Sequence, residues 1–348
     1  DLRIQYVAYR TLMAAIQAHN AESGSIVVLD VGTGEVLAIA NQPTYNPNDR
    51  AQFSPERYRN RAITDIFEPG SSIKPLVVAA ALESGEYRPS SIIDTAPGYV
   101  VVGPKKIEDS RNLGRVSLTT ILARSSNVGV TKLAMSLQPD QLWSTMTRFG
   151  LGSLTASSFP GESAGLLTPY DLWRPISQAT LAYGYGISVT PLQLAQAYAM
   201  LGSNGVSHPV TLIAQDQPVE GDRTISKDTA VAVRRMLEEV VRPGGTGTKA
   251  AVTGYRIAGK TGTSWKFATG GYSEDKYISI FAGLAPASDP RLAAVVVIDE
   301  PSGELYYGSD VAAPVFADVM SESLRLLAVP PDALPARDPN SIMQAMSR

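Results

Sequence analysis

Apolar residues recur along the chain with two different periods, which separate helical segments from extended ones. Near the N-terminus, a 3.6-residue period between Ile4 and Ile16 predicts an amphipathic helix over residues 3–19. From Ser25 to Ala40, two short runs of Val, Ile and Leu surround a glycine-containing turn, a pattern typical of a β-hairpin. Further along, extended runs lie at 255–258, 277–284 and 292–298, and a last helical period covers 311–327.

The middle of the chain has mostly helical patterns, at 73–82, 118–135, 141–149, 192–202 and 230–241. The hairpin and the three later strands can share one sheet only if this middle part is an insertion. The sequence therefore predicts an α+β fold. Its central, mainly antiparallel five-stranded sheet is flanked by N- and C-terminal helices and carries an inserted all-helical subdomain.

These patterns predict a single domain over residues 1–330. The sheet subdomain would comprise about 1–70 and 245–328, and the helical subdomain about 71–244. Residues 329–348 are predicted to form a flexible C-terminal tail. No run of 18 apolar residues occurs, so the chain as given is expected to be soluble.

Composition and charge remove several classes of function. The chain has 30 Lys+Arg and 33 Asp+Glu, a net charge of -3 and no basic stripe, which excludes a nucleic-acid binder. Cysteine is absent, so thiol nucleophiles and Cys-ligated metals are excluded. The only histidines are His19, at a helix end, and His208, in a turn-like segment. We expect a base other than histidine in any hydrolase or acyl transferase built on this chain, and no metal or cofactor.

Ser71 and Lys74 have the spacing of a nucleophile and a base on one helix face. They are three residues apart at a predicted helix start, so the lysine nitrogen can reach the serine oxygen. Lys74 would have to lose a proton, and burial or a second cation would lower its pKa. The spacing alone is weak evidence, because about one such pair is expected by chance in a chain of this composition. A second pair with the same spacing does occur. It lies at Ser273 and Lys276, in a polar stretch predicted to be a solvated loop.

Two further motifs supply polar groups. The segment Ser125-Ser126-Asn127 offers a hydroxyl and an amide that can relay a proton and hold a carbonyl, or it is a helix cap. The segment Lys260-Thr261-Gly262-Thr263 falls on a predicted strand, where glycine favours the close approach of a peptide as an added strand. Lys260 would supply the second cation near Lys74.

The segment from Gly254 to Thr261 also matches the phosphate-loop pattern G-x-x-x-x-G-K-[ST]. A phosphate loop needs a helix directly after it, whereas residues 255–258 are strand-like and residues 263–274 cannot open a helix. We therefore reject nucleotide binding.

The three motifs S-x-x-K at Ser71, S-x-N at Ser125 and K-[ST]-G at Lys260 resemble, in this order, those of the penicillin-recognising serine acyl transferases. The segments EPGSSIKP, RSSNVGVTKLA, YGYGISVTPLQLAQAYA and AGKTGT are similar to a class B penicillin-binding protein. AGLAPASDPRLAAVVVIDEP, followed by YYGSDVAAPVF, resembles the division-specific, septal peptidoglycan D,D-transpeptidases. The likeness covers about Ser25 to Pro335 and implies a β-lactamase-like fold with one transpeptidase domain.

The resemblance also implies roles for individual residues. Ser71 would attack the penultimate D-Ala carbonyl of a stem peptide, with Lys74 as base, and Ser125 and Lys260 would carry the proton to the leaving D-Ala. The amides of Ser71 and Thr263 would form the oxyanion hole. The implied substrate-binding residues are Asn127, Thr261, Gly262, Thr263, Tyr185 and Tyr307, and Tyr183 and Tyr306 match positions in or near the cleft wall.

Related functions on the same fold stay open at this point. A D,D-carboxypeptidase or a β-lactamase would pass the acyl group to water, and a β-lactam-binding sensor would have no turnover. The Glu-x-x-x-Asn arrangement of class A β-lactamases is missing, since Leu166 follows Glu162 at that spacing. The sequence departs from the family pattern directly after Lys-Thr-Gly-Thr. In many family members, Ala and a basic residue follow this motif. Here Ser264, Trp265 and Lys266 follow it, which bears on the charge at the cleft rim.

The implied partners are peptidoglycan stem peptides, as D-Ala-D-Ala donor and amine acceptor, and β-lactam antibiotics. A septal glycosyltransferase and other division proteins are also implied. The implied location is the periplasmic face of the bacterial inner membrane, held through an anchor absent from this chain.

Overall fold

The computed structural model describes residues 1–49, 51, 54–217, 219–268 and 271–333. In these residues the helices are α1 (Leu2–Ala18), α2 (Pro55–Tyr58), α3 (Arg61–Thr64), α4 (Lys74–Glu83), α5 (Leu118–Ala123), α6 (Asn127–Ser136), α7 (Pro139–Arg148), α8 (Pro175–Leu181), α9 (Pro191–Gly202), α10 (Lys227–Val241) and α11 (Ala312–Leu326). The strands are β1 (Ser23–Asp30), β2 (Val36–Gln42), β3 (Ile92–Asp94), β4 (Tyr99–Val102), β5 (Lys105–Glu108), β6 (Arg115–Ser117), β7 (Val206–Ser207), β8 (Asp222–Arg223), β9 (Ala258–Ala268), β10 (Gly271–Ala285) and β11 (Leu292–Asp299). Within the described ranges, no helix is both long and apolar enough to cross a lipid bilayer.

Five strands form one antiparallel sheet in the order β2-β1-β11-β10-β9, which confirms the predicted sheet. The chain between β2 and β9 is therefore an insertion into this sheet. Strand β1, between β2 and β11, is buried on both faces, and its side chains alternate between two cores. Val27 and Leu29 pack with the inserted region, whereas Ile26 and Val28 pack with the terminal helices.

Helices cover both faces of the sheet and account for its continuous apolar strands. On one face, α1 packs against α11, and both contact the sheet through their apolar sides. On the other face, α9 packs on β1 and β11 and is buried along its whole length. A helix that is apolar all round belongs inside a core, which is where α9 and most of α4 lie.

The inserted region is more varied than the sequence predicts. It contains the strand pairs β3-β6, β4-β5 and β7-β8, so the description as all-helical is incomplete. These strands have two to four residues, too few for a period of two to be recognised. The predicted helix over 118–135 is also divided, into α5 and α6. The solvated loop predicted around Ser273 and Lys276 is wrong, because both residues belong to β10.

Part of the predicted C-terminal tail is bonded to the domain. The Asp332 carboxylate accepts hydrogen bonds from the Arg256 amide (2.7 Å) and the Ser288 hydroxyl (2.6 Å). The Ala333 amide donates to the carbonyl of Gly254 (3.0 Å). Residues 334–348 of that tail lie outside the described residues.

Candidate active site

Ser71 lies on a single 3-10 turn, Gly70–Ile73, which leads directly into α4. Gly70 has φ +51°, and a Cβ added there would lie 2.9 Å from the Thr263 carbonyl oxygen in β9. A Cβ added at Gly184 would lie 2.1 Å from the carbonyl oxygen of Gly70, whose amide donates to the Gly184 carbonyl (3.2 Å). Only glycine allows these close approaches. They hold the Ser71 turn beside β9.

Lys74 begins α4 and is fully buried, with its nitrogen directed at the connection between α5 and α6. Nζ lies 2.6 Å from the Ser125 carbonyl oxygen, 2.7 Å from Asn127 Oδ1 and 3.2 Å from Ser125 Oγ. Within the described residues, it makes no hydrogen bond to Ser71 Oγ, the contact that the motif spacing allows. The first two motifs therefore meet through Lys74, which follows Ser71 by three residues.

The third motif joins them through one hydroxyl. Lys260 is fully buried and its Nζ donates to Ser125 Oγ (3.0 Å), the oxygen that Lys74 also approaches. Burial, and then the positive charge of Lys260, lower the pKa of Lys74 well below its usual range, against the opposing effect of Asp109. Burial lowers the pKa of Lys260 to about 7. Two ammonium groups at this distance repel each other. The pair therefore tends to hold one proton fewer than two separate lysines in water, which leaves one of the two amines neutral.

The division between α5 and α6 creates the acceptors for these lysines. Ser125 has φ +55°, a left-handed conformation that interrupts the helix and frees its carbonyl for Lys74. Ser126 then caps α6 by accepting from the Gly129 amide (2.8 Å). Ser126 is therefore a helix cap, one of the two roles predicted for this segment, and its neighbours Ser125 and Asn127 line the cleft. The proton relay through this segment stays a prediction.

Asp109 is a residue of the site that the sequence analysis missed. Its carboxylate accepts hydrogen bonds from Ser126 Oγ (2.5 Å) and from the amides of Asn127 (2.6 Å) and Val128 (3.0 Å). A carboxylate at a helix N-terminus satisfies free amides and interacts favourably with the helix dipole. Asp109 therefore fixes the start of α6 and the position of Asn127. Only the tertiary fold brings it there, from the far side of α5.

The Lys-Thr-Gly-Thr segment forms one wall of the cleft on β9, the edge strand of the sheet. Thr261 Oγ1 lies 3.0 Å from Oγ1 of Thr246, a second residue that the sequence analysis missed, although the surrounding Gly-Gly-Thr-Gly-Thr run is a signal for a tight loop. Thr263 Oγ1 accepts from the Gly308 amide (2.9 Å). The cleft has a volume of about 520 Å³ and is lined by Ser71, Asp109, Ser110, Arg111, Leu113, Arg124, Ser125, Asn127, Thr246, Thr261, Gly262, Thr263, Tyr307 and Ser309.

The four tyrosines separate into two groups. Tyr307 lines the cleft, and its hydroxyl accepts a hydrogen bond from Tyr306 (3.1 Å). Tyr183 and Tyr185 pack edge to face (5.6 Å between ring centroids) and do not line that cavity. The Tyr185 hydroxyl instead accepts from the amide of Trp265 (3.3 Å), the residue at which the sequence departs from the family pattern.

Glu162 has a structural position away from the cleft lining. Its carboxylate accepts from the Thr155 amide (2.7 Å), the Thr155 hydroxyl (2.5 Å) and the Ser157 hydroxyl (2.7 Å). The phosphate-loop match also has no support, because Lys260 and Thr261 lie inside β9 and no helix follows them. Both observations agree with the sequence-based rejections.

Comparisons with known proteins agree with this geometry. A family model described as the penicillin binding protein transpeptidase domain matches residues 24–321. The chain is 47% identical to peptidoglycan D,D-transpeptidase FtsI of Escherichia coli (strain K12) over 343 residues, which cover 99% of this chain and 58% of that protein. It is 42% identical to the probable peptidoglycan D,D-transpeptidase PenA of Neisseria flavescens, over 95% of this chain and 82% of that protein.

A solved structure has the same architecture. It is the apo transpeptidase domain of Burkholderia pseudomallei penicillin-binding protein 3, with a TM-score of 0.88, 41% sequence identity, and coverage of 96% of this chain and 97% of that one. The family match extends from β1 through the insertion to α11, and the three sequence motifs meet at a single cleft within it. The chain therefore belongs to the penicillin-binding protein transpeptidase-domain family.

Proposed function

We propose that this chain is a serine D,D-transpeptidase that cross-links peptidoglycan stem peptides through an acyl-enzyme on Ser71. One observation carries the proposal: Ser125 Oγ lies within hydrogen-bond distance of two fully buried lysine nitrogens, Lys74 and Lys260. Within the described residues, neither nitrogen is bonded to a carboxylate. Such a pair can hold a neutral amine at neutral pH, which is what a base for serine requires.

Acylation follows from this arrangement. Neutral Lys74 takes the proton of Ser71 Oγ as this oxygen bonds to the penultimate D-Ala carbonyl carbon. The amides of Ser71 and Thr263 then stabilise the oxyanion. When the carbon–nitrogen bond breaks, the proton passes from Lys74 through Ser125 Oγ to the leaving D-Ala nitrogen, and Lys260 stabilises the developing charge on this route. An ester on Ser71 and a free D-Ala are the products.

Substrate binding uses the free edge of β9. An edge strand presents unpaired backbone groups, so the donor peptide can lie beside Thr261, Gly262 and Thr263 as an added strand. Asn127 faces it across the cleft. We assign the terminal carboxylate to Thr261 and Thr263, and wall positions to Tyr307 within the cleft and to Tyr185 through its contact with the β9 backbone.

The test is intact-protein mass spectrometry after incubation with a penicillin. We expect a stable one-to-one adduct on the parent and on Ser273→Ala, and none on Ser71→Ala. An adduct that survives in Ser71→Ala contradicts the assignment of the nucleophile. A transient adduct with consumption of the drug indicates a β-lactamase. A stable adduct from an enzyme that passes stem peptides only to water indicates a carboxypeptidase, and one without any turnover of stem peptides indicates a sensor.

The septal role is a proposal that rests on the family resemblance. The chain spans 58% of the length of the E. coli relative, which is named as a D,D-transpeptidase. We propose that the protein acts at the periplasmic face of the inner membrane beside a septal glycosyltransferase. Depletion of the protein should produce filamentous cells that still elongate; rounded cells without a block of division would contradict this role.

A further inference from the structure

A second groove adjoins the catalytic cleft. It has a volume of about 470 Å³ and lies between α5, α10 and the loop that contains Gly244 and Gly245. Arg124 lines both the cleft and this groove. Its Nη2 lies 3.4 Å from the position that a Cβ on Gly244 would take, so the guanidinium group rests on this glycine where the two spaces meet.

The arginines along this path have no ionic partner. In the described part of the chain, the side chains of Arg111 in the cleft, Arg124 at the junction and Arg235 in the groove make no hydrogen bond or ion pair. Glu239 in the groove is paired with Arg242, whereas Asp109 in the cleft accepts hydrogen bonds from uncharged donors only and has no cationic partner among the described residues. Three unpaired arginines therefore stand against one unpaired carboxylate, so the path has a net positive charge, although the whole chain has a net charge of -3. This arrangement favours an anionic ligand.

The groove opens on the side of the cleft where the leaving residue departs. We assigned the leaving residue's carboxylate to Thr261, which contacts Thr246, and the loop before Thr246 forms the wall of the groove. Transfer of the acyl group from Ser71 to an acceptor amine is the chemical reverse of acylation, in which the D-Ala amine departs. The attacking nitrogen of the acceptor must therefore occupy the position that the nitrogen of D-Ala has left. The body of the acceptor then extends from there toward Arg124 and Arg235.

We propose that Arg124 and Arg235 bind carboxylates of the acceptor peptide and orient its amine toward the acyl group on Ser71. This inference rests on the proposed function. In the step concerned, the amine nitrogen bonds to the acyl carbon and the ester bond to Ser71 Oγ breaks. The proton lost by the amine returns to Oγ through Lys74, which restores the free enzyme.

The experiment compares two acceptors that differ in one carboxylate. The enzyme is acylated with a D-alanyl thioester donor and offered glycyl-glutamate or glycyl-glutamine, both with an amidated C-terminus. The ratio of peptide product to hydrolysis product is measured, because both arise from the same acyl-enzyme and changes in acylation cancel. We expect the parent to favour the acid about tenfold, the difference typical of one charge-assisted hydrogen bond.

Arginine variants test whether the preference for the acidic acceptor depends on Arg124 and Arg235. Arg124→Gln and Arg235→Gln should each reduce it, their combination should abolish it, and Arg124→Lys should retain part of it because the charge remains. Arg88→Gln is the matched control, since Arg88 is also exposed, has no side-chain partner in the described residues and lies outside both grooves. The proposal is overturned if the parent shows no preference, if the double variant keeps it, or if Arg88→Gln loses it equally. If the parent protein forms no acyl-enzyme at all, the result contradicts the proposed function itself. This outcome is therefore distinguishable from a failure of the acceptor-site proposal alone.

Discussion

Two Ser-x-x-Lys pairs in this chain share a spacing and differ in almost everything else. Lys74 is fully buried, its pKa is lowered by burial and then by Lys260, and its partners are a carbonyl, an amide and a hydroxyl. Lys276 is exposed on β10, and its hydrogen bond to Glu300 (2.7 Å) raises its pKa. A lysine becomes a base where the fold removes water without supplying a carboxylate.

The same contrast occurs within one strand. Lys260 and Lys266 are both on β9, but burial lowers the pKa of Lys260 to about 7. Burial also acts to lower the pKa of Lys266, yet its bonds to Glu300 (2.6 Å) and Asp299 (2.9 Å) outweigh this effect and raise it. The local strand sequence therefore does not predict the charge state of a lysine side chain. That charge state depends on whether neighbouring elements place a carboxylate beside the lysine.

The largest expected effect is on the rate of acylation, when the lysine of each Ser-x-x-Lys pair is replaced separately. Lys74→Met should slow acylation by a penicillin roughly 10³-fold, within the range for loss of a general base. Lys276→Met should leave the rate within about twofold, because this lysine is far from a buried acceptor network. Stopped-flow or mass-spectrometric acylation rates measure both, and equal losses in the two variants would contradict the comparison.

The second prediction concerns the glycines that shape each serine segment. Gly184→Ala should destabilise the fold by about 3 kcal/mol or more, since its Cβ would overlap the Gly70 backbone and its φ of +88° is left-handed. Gly271→Ala, near Ser273, also has a positive φ (+136°) but meets open space. It should cost about 1 kcal/mol from backbone strain alone. Urea unfolding of both variants gives the difference, and similar values would mean that the turn at Ser71 is not tightly enclosed.

The third prediction is a dependence of stability on pH, between pH 7 and 9, that Lys260 produces and Lys266 does not. Between pH 7 and about 10, unfolded Lys260 holds a proton that the folded residue has lost, so the unfolding free energy rises with pH. The parent should therefore gain about 1.4 kcal/mol per pH unit relative to Lys260→Met across this range.

Lys266→Met is the control for this experiment. The folded pKa of Lys266 is raised, so its contribution is complete below the unfolded pKa of about 10 and is lost only as pH rises through the folded value. The difference between the parent and Lys266→Met should be flat from pH 7 to 9. A flat difference for Lys260→Met as well would mean that its ammonium group stays protonated in the folded protein.

The parts of this structure that sequence can predict are those with local signals. The strands β1, β2 and β11 have apolar runs, and α1 and α11 have clear periods, so their bounds differ from the predicted ones by a few residues at most. β10 begins six residues before its predicted run. The run predicted at 255–258 shares only Ala258 with β9, because most of β9 is polar or glycine. Ser71, Lys74 and Lys260 likewise stand in recognisable motifs.

The remaining features depend on distant parts of the chain. Asp109, from before α5, accepts the amides of Asn127 and Val128 at the start of α6, directly after the left-handed residue Ser125. No local pattern around Asp109 or Asn127 predicts their contact. The same holds for Thr246 against Thr261 and for Arg124 at the junction of two grooves, since each is defined by what folds against it.

The smallest expected effect tests whether loss of a carboxylate alone can turn the exposed pair into a reactive one. Glu300 has a pKa of about 2, since hydrogen bonds from Lys266 and Lys276 outweigh the effect of burial, which raises it. Its contribution to stability is present above the unfolded pKa of about 4.3 and is lost as pH falls toward 2. In a Ser71→Ala background, Glu300→Gln should cost at most about 1 kcal/mol at neutral pH, and less at high salt, because these pairs are partly exposed. Ser273 should still form no penicillin adduct, because water keeps the pKa of Lys276 near its ordinary value. An adduct on Ser273 would mean that the absence of a carboxylate, and not burial, is what distinguishes the two pairs.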